Sequence, residues 1–149
     1  MKYTLEDARR IVLNCAKQYQ NRLLDKKLLI IYREWLDNTI RYIEVEFHDH
    51  NYQHLTGLEF IDRNGNVYRG RSKDFFRKCI ENKLTTKDIR FRKDGTAQLK
   101  LRALPVLMNI TKVTKIAGCY NGSRPYLYVD KVIGNVNFCL GLSKTNSLS

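Results

Sequence analysis

Near Arg41 the spacing of apolar residues changes from every third or fourth position to every second one, and this change most limits the fold. Before it, Leu5, Ala8, Ile11 or Val12, Cys15, Tyr19 and Leu23 recur at the period of one helix face. Thr4 stands where an N-cap belongs, with Asp7 three residues later as an imperfect capping box. A helix is expected over 4–24. A second is expected over 26–36, where Leu28, Leu29, Ile31, Tyr32, Trp35 and Leu36 are apolar. After the change, Ile43, Val45 and Phe47 alternate with Tyr42, Glu44 and Glu46, the pattern of a half-buried strand.

Short segments with turn signals follow. Asn64-Gly65 marks a turn, and Ser72-Lys73-Asp74 opens a helix whose Phe75 or Phe76, Cys79 and Ile80 face inward. Thr85–Asp88 reads as a capped turn. Ile89–Arg92 and Ala97–Arg102 read as two strands of a hairpin bent at Asp94-Gly95. On the second strand Leu99 and Leu101 share one face, and Gln98, Lys100 and Arg102 share the other. Leu104–Ile110 is expected as a short helix, and β-rich segments at 112–117, 126–131 and 136–142 complete the chain. Helices first and antiparallel strands after them give an α+β fold, with N-terminal helices packed on a twisted antiparallel β-sheet. The 149 residues suit a single domain, 1–149, with a helical layer at 1–40 and a sheet-bearing part at 41–144.

Charge separates the two parts of the chain. Residues 1–62 carry 9 basic and 10 acidic side chains; residues 63–149 carry 18 basic and 5 acidic. A half with a net charge of +13 attracts a polyanion, chiefly nucleic acid or an acidic protein. No stretch approaches the roughly 18 apolar residues of a membrane span, and Met1–Asp7 lacks the apolar core of a signal peptide. A cytosolic protein with no membrane partner is expected. Cys15, Cys79, Cys119 and Cys139 form no CxxC pair, so free buried thiols are expected, with no cofactor and no metal. His48 and His50 form a His-x-His pair without supporting ligand spacing.

Tyr52–Phe60 is the stretch that carries chemistry. On an extended backbone His54 and Thr56 point to one face, Leu55 points to the other, and Gly57 frees the chain for a turn or a close approach. That shows an imidazole and a hydroxyl to one ligand. A strand end with an incidental histidine fits the same residues.

Taken together, His54-Leu55-Thr56-Gly57, the aromatic pair Phe75-Phe76, Lys100, and a late segment with tyrosines, Asp130-Lys131 and Gly134 resemble a known family. It is that of the phage-associated nucleases grouped with barnase, EndoU, colicins E5 and D, and RelE. The resemblance covers roughly residues 8–144. It implies a small α+β nuclease that cleaves RNA without a metal, as toxins and phage or mobile-element proteins do, in the cytoplasm of a bacterial host. It also implies catalytic positions at His54, Thr56 and Lys100, with Asp130 added from the last hairpin. A second histidine used by some members of the wider group has no counterpart here.

RNA supplies its own nucleophile, the 2′-hydroxyl, so such an enzyme needs a proton acceptor, a proton donor and positive charge at the phosphate. His54 suits proton transfer. Lys100 suits charge neutralisation, and Thr56 a hydrogen bond to a phosphate oxygen. Tyr120 suits stacking or weak acid catalysis, and Arg69, Arg71, Arg90, Arg92 and Arg102 suit the RNA backbone. The residues leave three functions open: a ribonuclease acting on tRNA, mRNA or guide RNA; a non-catalytic anti-defence protein of the anti-CRISPR type that binds RNA or a host ribonucleoprotein; and a module that binds an acidic protein.

Overall fold

In the computed structural model the chain starts with helix α1 (Leu5–Arg22). Thr4 caps it reciprocally: its hydroxyl accepts from the Asp7 N–H at 3.1 Å, and the Asp7 carboxylate accepts from the Thr4 N–H at 2.9 Å. Ala8, Val12, Cys15, Ala16 and Tyr19 form its buried stripe. The structure describes residues 2–34, 36–113, 116–119, 131–135 and 138–142. Contacts divide the chain into two compact units, Met1–Lys27 with Glu46–Met108, and Leu28–Val45 with Asn109–Ser149.

The first unit is built on aromatic residues. Tyr19, Tyr52, Phe60, Phe75 and Phe76 are all at most 5% exposed, and their rings meet mostly edge-on or tilted. The two buried phenols each have an acceptor: Tyr19 donates to the His48 carbonyl at 2.7 Å and Tyr52 to the Val12 carbonyl at 2.6 Å. After a turn at Asp49–Asn51 come α2 (Tyr52–Thr56), β3 (Leu58–Phe60), α3 (Ser72–Ile80), β4 (Ile89–Phe91) and α4 (Ala97–Leu107). β1 (Lys27–Arg33) and β2 (Ile40–Glu46) precede them in the chain. β3 and β4 pair antiparallel in the register Leu58↔Phe91, Glu59↔Arg90 and Phe60↔Ile89. α1 packs on α3 and α4, and α2 sits against the same two helices.

In the second unit β1 (Lys27–Arg33) and β2 (Ile40–Glu46), whose outermost residues Lys27 and Glu46 belong to the first unit, form a two-stranded sheet. The short helix α5 (Ile110–Val113) precedes β5 (Ile116–Cys119), β6 (Lys131–Asn135) and β7 (Phe138–Leu142), which pair antiparallel in that order. The class is α+β, as expected, with short sheets rather than one continuous sheet among the described residues.

The helix expected over 26–36 and the strand expected over 97–102 each have the other secondary structure. The helix over 26–36 is strand β1. Asp25, at φ +55°, turns the chain out of α1, and Leu28, Ile30 and Tyr32 then alternate with exposed Leu29 and Ile31. A five-residue apolar run does not distinguish the two periods. The strand over 97–102 is the first half of α4. Asp94 accepts from both the N–H (3.0 Å) and the hydroxyl (2.7 Å) of Thr96, turning the chain into a helix instead of back along β4. Leu101, Leu104 and Leu107 are buried at helical spacing, while Leu99 is 66% exposed. Pro105 lies on the exposed side of this helix.

Candidate functional site

His54 and Thr56 lie in a helix, not a strand. Two residues apart on a helix is about 200° of rotation, so the two side chains part company. His54 reaches the surface with part of its ring shielded, whereas Thr56 is fully buried. The Thr56 hydroxyl donates to the Gln53 carbonyl at 2.6 Å and accepts from the Leu58 N–H at 3.1 Å. It fastens the exit of α2 to the start of β3 and is not presented to a ligand. The five-residue helix is too short for its period to be visible in the sequence.

Gly57 ends α2 at φ +73°. A Cβ there would lie 2.8 Å from the Ala97 Cα and 3.1 Å from the Lys100 Cδ. Only glycine satisfies both the left-handed backbone and this close approach. The first turn of α4 therefore lies directly on the end of α2. Across this contact the Lys100 ammonium donates to the His54 carbonyl at 3.0 Å, satisfying one of the carbonyls left over at the helix end. Lys100, expected on a strand, thus reaches the end of α2 from helix α4.

The main-chain N–H of Arg92 donates to the Gly57 carbonyl at 3.3 Å, and the Arg92 guanidinium lies 3.5 Å from the Asp94 carboxylate. Hydrogen bonds from the Thr96 hydroxyl and N–H hold Asp94 below the usual carboxylate range. Desolvation, then Lys100, then Arg92 lower the pKa of His54, with Asp94 opposing them. Desolvation and then Arg92 lower that of Lys100. Both cations act on the imidazole to disfavour its protonated form, and an imidazole kept neutral in this way can accept a proton. Sequence reasoning missed Asp94 as a member of this group, because its Asp-Gly pair reads as a hairpin bend.

The other arginines divide. Arg90 is engaged: it donates to Glu59 on the paired strand at 2.9 and 2.6 Å and to the Gly65 carbonyl at 3.3 Å. Arg71 lies over the Tyr68 ring at 5.0 Å and binds Asp74. Arg69 and Arg102 are exposed. Tyr120 and Asp130 lie outside the described residues. His48 bridges Asp25 (3.0 Å) and Glu46 (3.2 Å), and its ring stacks on His50. Among the described residues no three His, Cys, Asp or Glu side chains are grouped to hold a metal ion. No helix among them is long and apolar enough to cross a membrane.

No curated protein and no solved structure matches the chain. One family profile does, that of the phage-Barnase-EndoU-ColicinE5/D-RelE like nuclease4 family, over residues 11–148. This span takes in α2, Gly57, Arg92 and Lys100, and covers nearly all of the chain. The protein belongs to this family of nucleases.

Proposed function

We propose that this nuclease is an endoribonuclease that cleaves RNA without a metal ion, using His54 as proton acceptor. The observation that carries the reading is the meeting of His54, Arg92 and Lys100 around Gly57. The neutral His54 imidazole takes the proton of the 2′-hydroxyl as its oxygen attacks the adjacent phosphorus. Arg92 and Lys100 stabilise the charge that grows on the non-bridging oxygens. Lys100 gives up its proton more readily than an ordinary lysine, and it protonates the departing 5′ oxygen. The products are a 2′,3′-cyclic phosphate and a 5′-hydroxyl. Thr56 stabilises the exit of α2 and takes no part in the proton transfers. The exposed Arg69 and Arg102 attract the RNA backbone, and the enzyme works in the cytoplasm of a bacterial host.

The test is incubation of purified protein with total RNA, a tRNA pool and a guide RNA in the presence of EDTA, followed by mapping of the ends. Cyclic phosphate ends that vanish in a folded His54→Ala variant are expected. Undiminished cleavage by that variant removes His54 from the mechanism. RNA binding without cleavage of any substrate would instead mark a non-catalytic protein.

A further inference from the structure

Beside the cleavage site the N-terminal segment, the β4–α4 turn and the outer face of α4 enclose a groove of about 600 Å³. Lys2, Arg92 and Arg102 line it together with Tyr3, Phe91 and Gln98, and none of its lining residues is acidic. Tyr3 also lines a neighbouring hollow of about 300 Å³, bounded by Arg10 and Asn14, in which Asp7 is already paired with Arg10 at 2.7 Å. One aromatic residue thus stands between two hollows. Gln98 holds it there: its side-chain amide accepts from the Tyr3 N–H at 2.7 Å and donates to the Tyr3 carbonyl at 3.1 Å. Arg92 belongs both to this groove and to the group around His54.

We propose that this groove binds single-stranded RNA next to the scissile phosphate, with Lys2, Arg92 and Arg102 on successive phosphates and a base stacked on Tyr3. The assignment rests on the ribonuclease reading given above. Cations spaced around aromatic residues suit a strand whose bases are free to stack, because phosphates and base faces alternate along it. A duplex keeps its bases stacked on one another and offers none to Tyr3. An acidic peptide would use the cations and leave the aromatic wall without a partner. Gln98 is a positioning residue, since both ends of its amide are spent on the main chain of Tyr3.

Binding is measured by fluorescence anisotropy, with EDTA, in the His54→Ala background, using a short labelled oligoribonucleotide of mixed sequence. Arg102→Ala is expected to weaken binding about fivefold or more and to make its salt dependence shallower by about one phosphate contact. Tyr3→Leu is expected to weaken binding by about fivefold or more with the salt dependence unchanged. Gln98→Ala should behave as Tyr3→Leu does. Parental affinity in both Arg102→Ala and Tyr3→Leu overturns the groove, and so does tighter binding of a duplex of the same sequence. Arg102 is exposed, so its variant tests the proposal even if changes at Tyr3 disturb folding. Parental cleavage by His54→Ala would instead sink the ribonuclease mechanism while leaving the groove to stand on its binding data.

Discussion

The side-chain ammonium of Lys100 donates a hydrogen bond to the main-chain carbonyl of His54 at 3.0 Å, tying helix α4 to the end of helix α2. An ammonium has three donors, so two remain for a phosphate. The lysine therefore fixes the histidine's backbone and charges the site at once. Lys100→Met is expected to lower cleavage by about a hundredfold to a thousandfold. It should also raise the pKa of His54, because Lys100 is one of the charges that lower it. An NMR titration of the imidazole checks the second effect independently of activity. An unmoved His54 pKa would show that the two side chains do not sense one another.

The pH dependence has a definite sign. An ordinary histidine titrates near pH 6.5, and His54 is shifted below that value, chiefly by desolvation. Cleavage should hold steady down to about pH 6.5 and fall only below it. Stability follows the same direction. The unfolded chain binds the proton more readily, so the His54 contribution is complete above about pH 6.5 and is lost as pH falls through the folded pKa. His48 runs the other way, since its hydrogen bond to Asp25 raises its pKa. Its contribution is complete below about pH 6.5 and disappears as pH rises through the folded value. Urea titrations of His54→Gln and His48→Gln across this range should differ from the parent with opposite slopes.

Thr56→Val removes the hydroxyl while keeping the shape. The buried Leu58 N–H then loses its acceptor, at about 1–3 kcal/mol, whereas Thr56→Ser keeps both hydrogen bonds. Denaturant unfolding should separate the two variants. Cleavage per folded molecule should survive in both. Loss of chemistry in a fully folded Thr56→Val would return the hydroxyl to the catalytic group.

Gly57→Ala places a methyl group 2.8 Å from the Ala97 backbone at a residue with φ +73°. A destabilisation of at least about 2 kcal/mol is expected from the backbone strain and the overlap together. Activity should fall further than stability, because the substitution pushes α4, and Lys100 with it, away from α2. Thermal unfolding combined with cleavage assays on the folded fraction checks this.

Burial pushes the Cys15 thiol up to about 11 and the Cys79 thiol to about 12. Neither should react with iodoacetamide at pH 8 in the folded protein, and both should react in urea. Mass spectrometry of the two residues reads the difference.

Much of the fold was legible because local signals agreed. Thr4 and Asp7 announced α1, the alternation of Ile43, Val45 and Phe47 announced β2, and the phenylalanines at 75 and 76 announced α3. α2 and α4 were not legible for a common reason. Five residues carry too little of a period, and Leu99-Lys100-Leu101 alternates over just the length at which strand and helix look alike. Residue type does not depend on the element: His54 and Lys100 stood out through the family resemblance and Arg92 as a cation for the RNA backbone, and the close approach of α4 to Gly57 brings Lys100 to the end of α2. The fates of Thr56 and Arg90 were not recognisable. One depends on a hydroxyl turned inward at a helix end, the other on a strand register that sets Arg90 opposite Glu59.

The clasp between Gln98 and the main chain of Tyr3 joins positions 95 residues apart. Closing so long a loop comes late in folding, after local helices and turns have formed. During synthesis α1 and α2 emerge well before their partner. Until α4 has left the ribosome there is no residue to cover Gly57, none to hold the His54 carbonyl and none to hold Tyr3. The proposed site is therefore a matter of timing as well as geometry: its parts come together only with α4, and a chain that stops short of that helix is expected to show no cleavage.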